Sequence, residues 1–220
     1  MTTIAILGAH GATAQIVTQR LIQETHLYLR LYLRLYLSRA ERLASLATAP
    51  RVSIIAGSVQ DPSTLQLALK GVDLVYSNIG GVDLAISTKL ILEAMQKTGC
   101  QRLLFYSALG ALNEVPGQFG TWNETAIADY LPGFRLANQL IEEQSQINTT
   151  QFRPAWLTNK DEIDYEITSA DEPFRGTEVS RQSVADFVVR VIKNPTLYPH
   201  TSVGLNKPHT TGNLPAWLQV

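Results

Sequence analysis

This chain has few of the residues that build disulfides, metal centres or membrane spans. Cys100 is its only cysteine, which excludes an intramolecular disulfide, and its four histidines never fall at metal-ligand spacing. It has no charged leader followed by an apolar stretch and no apolar run near eighteen residues. Eighteen basic and nineteen acidic residues leave no basic excess to hold a polyanion. We therefore expect a cytoplasmic protein that binds neither nucleic acid nor membranes.

The order of apolar segments predicts the fold class. The 220 residues suffice for one sizeable core, and no stretch resembles an interdomain linker, so we expect one domain over residues 1–220. Strand-like runs alternate with helical patterns, which predicts an α/β, doubly wound, Rossmann-like parallel sheet with helices on both faces. The predicted strands are 4–7, 33–37, 52–56, 73–77, 102–107, 148–153 and 201–205. The predicted helices are 15–24, 39–47, 62–69, 84–97, 134–146 and one that Ser180 caps.

The first strand runs directly into a turn paced by glycines. Gly8 and Gly11 have no Cβ, so the turn can adopt unusual φ values and a pyrophosphate can approach the main chain. Free N–H groups at the start of the next helix would face that anion. A tight strand-to-helix turn is the alternative interpretation. The apolar strand before the turn and the apolar helix face after it favour dinucleotide binding.

Residues 27–37 contain nearly three copies of a Leu-Tyr-Leu-Arg unit. The alternation of leucine with polar residues is typical of a strand, but the segment is about twice as long as this fold needs. We expect the last copy, residues 33–37, to be the core strand and the earlier copies to be a duplicated insertion. A pairing edge for a second chain is the alternative.

Five motifs in this order give a family resemblance. The chain resembles the atypical short-chain dehydrogenase/reductases, and among them the small NmrA-like, NAD(P)-binding proteins. The resemblance covers nearly the whole chain. It implies that a homodimer is one possible assembly of the protein. The motifs are Gly8-x-x-Gly11-x-x-Ala14, Ser38-Arg39, Tyr106-Ser107-Ala108, Arg153-Pro154 and residues 178–187.

The resemblance implies a nicotinamide cofactor across the carboxyl ends of the strands. An acidic residue after the second strand would bind the ribose hydroxyls of NAD, whereas this chain has Ser38 and Arg39 there, with Arg42 nearby. These residues favour NADP over NAD, unless they only decorate a solvated helix start. The implied contacts are His10, Gly11, Ala12, Thr13 and Gly8 at the phosphates, Gly57, Ser58 and Val59 near adenine, Asn78, Ile79 and Gly80 along ribose and pyrophosphate, and Ser107, Pro154 and Trp156 beside the nicotinamide.

The catalytic half departs from the family pattern. Family dehydrogenases use a serine after the fifth predicted strand and a Tyr-x-x-x-Lys pair on the next helix, because the lysine lowers the tyrosine pKa. Ser107 fits the serine, either acting on substrate or orienting the nicotinamide amide. Phe134 and Asn138 stand where the pair belongs, and no Tyr-x-x-x-Lys occurs in the chain. Tyr130 is the other catalytic candidate, while Tyr106 and Tyr165 are further phenols that can donate a proton.

Residues 155–178 and 200–220 are expected to form the substrate side. We expect the acidic stretch 158–178 to be a solvated face. Apolar pockets are commonly lined by aromatic rings, although packing in the core is the alternative for Trp156. The predicted lining is Trp122, Trp156, Phe174 and Trp217.

Two functions fit this sequence. The first is an NADP-dependent oxidoreductase that acts on a small carbonyl or quinone-like compound. The second is a non-catalytic NAD(P)-binding redox sensor that passes its state to a regulatory protein partner. A sugar-nucleotide epimerase is disfavoured because it needs the same missing Tyr-Lys pair.

Overall fold

The computed structural model describes residues 2–23, 29–30 and 40–218. Strand β1 (Thr2–Leu7) leads through the glycine turn into helix α1 (Ala12–Gln23). Strand β2 (Leu29–Arg30) pairs in parallel with the start of β1. This pairing uses a copy of the repeat that we expected to be an insertion. The expected strand 33–37 and the pair Ser38 and Arg39 lie outside the described residues.

The middle of the chain departs from prediction at one strand. The predicted strand 52–56 is wrong: residues 52–55 carry no strand, and Ala56 forms a single bridge. Residues 52–55 join no ladder in the described part of the chain, and the Val52 N–H closes a turn by donating to the Ala49 carbonyl at 3.3 Å. The predicted helix 39–47 is a 3-10 segment, Ala40–Leu46. Helix α2 (Pro62–Leu69) is confirmed with its cap, since Asp61 accepts hydrogen bonds from the N–H groups of the first turn.

The remaining elements follow the predicted alternation with added short strands. They are β3 (Leu74–Ser77), α3 (Leu84–Thr98), β4 (Arg102–Tyr106), α4 (Gly117–Ala126), α5 (Leu131–Glu142), β5 (Asn148–Pro154), β6 (Trp156–Thr158), β7 (Glu166–Ser169), β8 (Glu178–Ser180), α6 (Arg181–Lys193) and β9 (Thr201–Asn206), followed by a 3-10 turn at Ala216–Leu218. Helix α4 lies in a region that the sequence suggested was a loop. Gly99 ends α3 with φ 75°, and Ser180 caps α6, as predicted.

Seven of the described strands form the predicted doubly wound, Rossmann-like sheet, and β6 and β8 pair in a separate two-stranded sheet. The order of the seven is β2-β1-β3-β4-β5-β9-β7, all parallel except β7, which runs antiparallel to β9. The order reverses between β1 and β3, because β2 lies on one side of β1 and β3 on the other. In such sheets ligands bind outside the carboxyl ends of the strands at this reversal.

Two apolar clusters fix the sheet between its helical layers. Successive residues of β1 point to opposite faces, so Ile4 and Ile6 join the cluster under α1 and α6, whereas Ala5 and Leu7 join the cluster under α2, α3 and α5. All four side chains are fully buried. The turn after β1 is thereby held on a rigid support. In the described part of the chain no helix is both long and apolar enough to cross a bilayer.

Candidate functional site

The turn between β1 and α1 is tight and internally bonded. Gly8 adopts φ +72°, a left-handed conformation that side chains disfavour. The Gly11 N–H donates to the Gly8 carbonyl at 3.0 Å, and the Gln15 N–H donates to the Gly11 carbonyl at 2.9 Å. The Gln15 side chain also donates to the His10 carbonyl at 2.6 Å. These bonds hold the turn and its carbonyls, whereas the N–H groups of the first turn of α1 have no acceptor within the helix.

Asn78, which follows β3, supports this turn from below. Its N–H donates to the Leu7 carbonyl at 2.9 Å, and its side-chain amide donates to the Gly8 carbonyl at 3.4 Å. The Tyr76 hydroxyl fixes the amide by donating to its Oδ1 at 2.9 Å. A Cβ on Gly8 would lie 2.7 Å from the Asn78 carbonyl oxygen, and one on Gly11 would lie 2.2 Å from the Asn78 Nδ2. Both glycines are therefore required by the close approach of Asn78.

A cavity of about 260 Å³ opens at the start of α1, directly after the turn. The start of α1 and the segment after β3 form one side of it, and three apolar or aromatic side chains with one arginine form the other. This places five predicted cofactor contacts around a single space. The lining residues are Ala12, Thr13, Asn78, Ile79, Gly80, Tyr106, Phe134, Leu157 and Arg181.

A larger cavity of about 600 Å³ continues from the first along the ends of β4 and β5. The two cavities share the side chains of Tyr106, Phe134, Leu157 and Arg181. Three further residues predicted beside the nicotinamide, Ser107, Pro154 and Trp156, line the larger one. Its other walls are Ala108, Leu109, Asn123, Ile127, Ala155, Asn159 and Trp217.

The larger cavity has an aromatic wall that is held in position by Asn123. The Trp156 indole N–H donates to the Asn123 Oδ1 at 2.9 Å, and the Asn123 amide donates to the Leu109 carbonyl at 3.1 Å. Trp122 packs behind Trp156 with ring centroids 4.7 Å apart. Trp156 and Trp217 thus line the cavity as predicted, whereas Trp122 forms a second layer.

Phe174 is not a lining residue, contrary to our expectation. It is 5% exposed and belongs to the apolar core under α1 and α6. A Cβ on Gly204 would lie 2.5 Å from its ring, so the glycine in β9 makes room for this phenylalanine.

The acidic stretch is largely the solvated face that we expected, because four of its carboxylates are exposed. These are Asp161, Asp164, Asp171 and Glu172. Two of its other carboxylates are paired. Glu178 is 1% exposed and bonds to the Lys160 ammonium at 2.6 Å, and Glu162 bonds to Lys207 at 2.6 Å.

The catalytic serine position carries an unusual partner. Ser107 is buried at the end of β4, and its hydroxyl donates to the Asn138 Oδ1 at 2.9 Å. Asn138 stands where the family lysine belongs, and Phe134, at the tyrosine position, forms a cavity wall. The Asn138 Nδ2 is buried without a partner in the described residues. Tyr130 precedes α5 with 45% exposure and is absent from the cavity walls.

Tyr106 lies where the two cavities join. Its hydroxyl is buried and makes no hydrogen bond of good geometry within the described residues. Burial raises the pKa of Tyr106 to about 12, while the nearby hydroxyl of Thr13 and the charge of Arg181 act in the opposite direction. At neutral pH the phenol therefore keeps its proton.

Several predicted cofactor residues lie apart from the cavities, and among them Gly8, His10 and Gly11 of the glycine turn line neither cavity. Gly57, Ser58 and Val59 form the loop before α2 and line neither cavity, and the Ser58 carbonyl accepts the Asp61 N–H at 2.8 Å. The exposed Arg42 lies on the 3-10 segment.

Sequence reasoning missed Arg181, although its position carries a signal. Arg181 is the first residue of α6, directly after the Ser180 cap. A cation is unfavourable at this positive end of a helix, which makes an arginine there noteworthy. The lining residues Leu157 and Asn159 carried no such signal, because only the tertiary fold brings them to the cavity.

A buried ion pair holds the loop that follows β4 behind the larger cavity. Arg153 in β5 is 0% exposed and pairs with the carboxylate of Glu114, whose side chain is 4% exposed. The same carboxylate accepts the N–H groups of Gly110 at 3.1 Å and Leu112 at 2.9 Å. The Arg153 Nε donates to the Ser202 hydroxyl at 3.0 Å. One carboxylate therefore connects the loop to two strands of the sheet.

The chain is similar to several known proteins over nearly its whole length. A family model described as NAD(P)H-binding matches residues 8–195. A Rossmann-fold NAD(P)-binding family protein from Shigella flexneri is 34% identical, with a TM-score of 0.82 over 98% of each chain. A short-chain dehydrogenase/reductase from Veillonella parvula in complex with NADP is 27% identical, with a TM-score of 0.89 over 98% of this chain and 99% of that one.

More distant structures share the fold. An anaerobilin reductase from Escherichia coli O157:H7 is 18% identical, with a TM-score of 0.78 over 96% of this chain and all of that one. No curated protein matches this sequence.

Proposed function

This chain belongs to the NAD(P)H-binding family, and we propose that it is an NADP-dependent oxidoreductase that reduces a small carbonyl or quinone-like compound. One observation carries the proposal: an apolar cavity of about 600 Å³ shares four side chains with the cavity at the start of α1, which follows the glycine turn. A dinucleotide whose diphosphate lay on the turn would have its nicotinamide end directed toward this second space. The volume is that of a typical small-molecule site.

The geometry of the glycine turn and the start of α1 is suited to binding a dinucleotide. Gly8 and Gly11 let the turn lie against Asn78, and this places the start of α1, whose first N–H groups have no intrahelical acceptor, beside the cavity where a diphosphate would bind. When bound, the reduced nicotinamide supplies a hydride. Pro154 and Trp156 would flank that ring, and Ser107 would accept a hydrogen bond from its amide because its own proton is given to Asn138.

The missing acid/base pair bears on the substrate class. Phe134 has no exchangeable proton and Asn138 no charge, so neither can assist proton transfer to a simple ketone. A quinone or another conjugated acceptor spreads the negative charge that it gains with the hydride and can take its proton from water. The walls formed by Trp156, Trp217 and Phe134 suit such a flat, apolar compound. We therefore place quinone-like acceptors ahead of simple aldehydes.

NADPH consumption with a panel of quinones and aldehydes tests this proposal. We expect turnover of quinones, and we expect Trp156→Ala to raise KM about tenfold by removing one face of the cavity. Ile163→Ala is the control, because Ile163 is 55% exposed and lines neither cavity. Parent-like kinetics in Trp156→Ala would contradict the placement of the substrate.

A redox sensor is the second candidate, and the replacement of the catalytic pair by Phe134 and Asn138 favours it. A sensor needs the cofactor half of the site but no proton donor. Tight NADPH binding without turnover of any acceptor in the panel would support the sensor and contradict the oxidoreductase.

The preference for NADP is proposed from the sequence, on Ser38 and Arg39. We expect NADPH to bind more tightly than NADH, and Arg39→Ala to weaken NADPH about 10- to 100-fold by removing charge-assisted hydrogen bonds to the 2′-phosphate. Calorimetric titration measures both affinities, and NADH is the internal control because it has no 2′-phosphate. Equal affinities of the parent chain for the two coenzymes would remove this assignment.

A further inference from the structure

Arg181 enters the junction of the two cavities with most of its hydrogen-bonding capacity unused. It lines both spaces, and the start of α1 lines the smaller one with it. Its guanidinium donates to the Asn159 Oδ1 at 2.8 Å. In the described residues no carboxylate lies within ion-pair distance of it. Because a guanidinium has five N–H donors in a fixed fork, several remain for a ligand.

The charged groups and helix ends at the junction of the two cavities are all positive. Arg181 is the first residue of the 13-residue helix α6, so its charge adds to the positive end of that helix. The first turn of α1, at Ala12 and Thr13, adds a second positive helix end to the same space. Neither an aspartate nor a glutamate is present among the residues that line the two cavities. An anion at the junction would relieve this repulsion.

A second side chain at the junction, Tyr106, also has a polar group that is available to a ligand. The Tyr106 hydroxyl is buried without a hydrogen bond in the described part of the chain, and Thr13 and Arg181 both act on its pKa. Thr13, Tyr106 and Arg181 all line the smaller cavity. Three groups of different origin, the α1 amides, the Tyr106 phenol and the Arg181 guanidinium, surround one region.

We propose that Arg181 binds the diphosphate of the dinucleotide from the side opposite the glycine turn. The proposal rests on the nucleotide binding of the proposed function and adds a side-chain cation to a site otherwise made of backbone amides. The planar fork of arginine matches two oxygens of a phosphate. Held from both sides, the diphosphate fixes the direction in which the nicotinamide end leaves the turn.

Titration of Arg181→Met with a set of ligands tests the proposal. NADPH and 2′-phospho-ADP-ribose both contain the diphosphate, whereas 2′-AMP does not. We expect the variant to bind the first two about 10- to 100-fold more weakly than the parent and 2′-AMP equally well. Arg181→Lys keeps the charge but loses the fork, so its affinities should lie between the two.

Arg175→Met is the matched control, since it removes the same charge at a distance from the cavities. Arg175 is 54% exposed and pairs with Glu172 at 3.6 Å on the surface. Thermal unfolding of each variant checks that it is folded.

The outcomes separate the two proposals. A parent chain that binds no dinucleotide overturns both. A parent that binds NADPH while Arg181→Met binds it equally overturns only the role of Arg181. Unchanged NADPH affinity together with a raised KM for carboxylate-bearing acceptors would assign the anion to the substrate instead, and would likewise overturn the diphosphate contact.

Discussion

Replacement of Gly8 by alanine is expected to weaken NADPH binding by about 100-fold or more. A Cβ makes the left-handed φ of +72° unfavourable, and it would also lie 2.7 Å from the Asn78 carbonyl oxygen. The two costs together reach about 3 kcal/mol, or two factors of ten in affinity, if the turn moves to relieve them. Calorimetric titration of the variant with NADPH measures the loss.

Gly71→Ala provides the matched control for this change. Gly71 has a similar φ of +71°, but a Cβ there would meet nothing within 4 Å. It should therefore lower the free energy of unfolding by about 1 to 2 kcal/mol through strain alone and leave NADPH affinity at the parent value. Parent-like affinity in Gly8→Ala would show that the turn does not hold the diphosphate.

Glu114→Ala is expected to lower the free energy of unfolding by about 3 to 5 kcal/mol. The substitution leaves the fully buried Arg153 guanidinium without its counter-charge and removes the acceptor for the N–H groups of Gly110 and Leu112. In a chain of this size a loss of about 3 kcal/mol corresponds to a fall in Tm of roughly 6 to 12 °C. Urea unfolding followed by circular dichroism measures it.

Two further variants distinguish the cost of losing an ion pair from the cost of leaving one charge buried without its partner. Glu172→Ala removes a surface carboxylate that is 52% exposed and paired with Arg175, and its cost should be about 0.5 kcal/mol or less. The double variant Glu114→Leu with Arg153→Met removes both buried charges and should be more stable than Glu114→Ala alone. A cost below about 1 kcal/mol for Glu114→Ala would show that the buried pair contributes little.

The sequence predicts the framework well because local rules and the tertiary fold agree there. The apolar run before Gly8, the Asp61 cap and the Gly99 stop each specify a helix or strand boundary without help from distant residues. Their alternation is sufficient for a doubly wound sheet. The resemblance to short-chain dehydrogenase/reductases is confirmed by the family model and by the solved structures.

The parts that sequence reasoning missed depend on contacts between distant segments. Asn78 supports Gly8 from 70 positions along the chain, and Arg181 reaches the cavity from the start of a helix far from the glycine turn. Neither of these contacts between distant segments produces a periodic pattern in the sequence that could predict it. Phe174 shows the same limit, because the glycine that makes room for it lies in β9. An aromatic residue in a loop segment carries no local signal that separates cavity lining from core.

A ¹⁵N-edited NMR titration of the parent chain with NADPH shows directly whether the backbone amides at the glycine turn and the start of α1 bind the diphosphate. We expect saturable shifts that are largest for the N–H groups of His10, Ala12 and Thr13 and for the side-chain Nε–H of Arg181, since the Gly11 N–H already donates to the Gly8 carbonyl. The Gly71 amide should stay in place. Saturable binding that moves other amides and leaves residues 10–13 unchanged would contradict the account, as would the absence of any shift at millimolar NADPH.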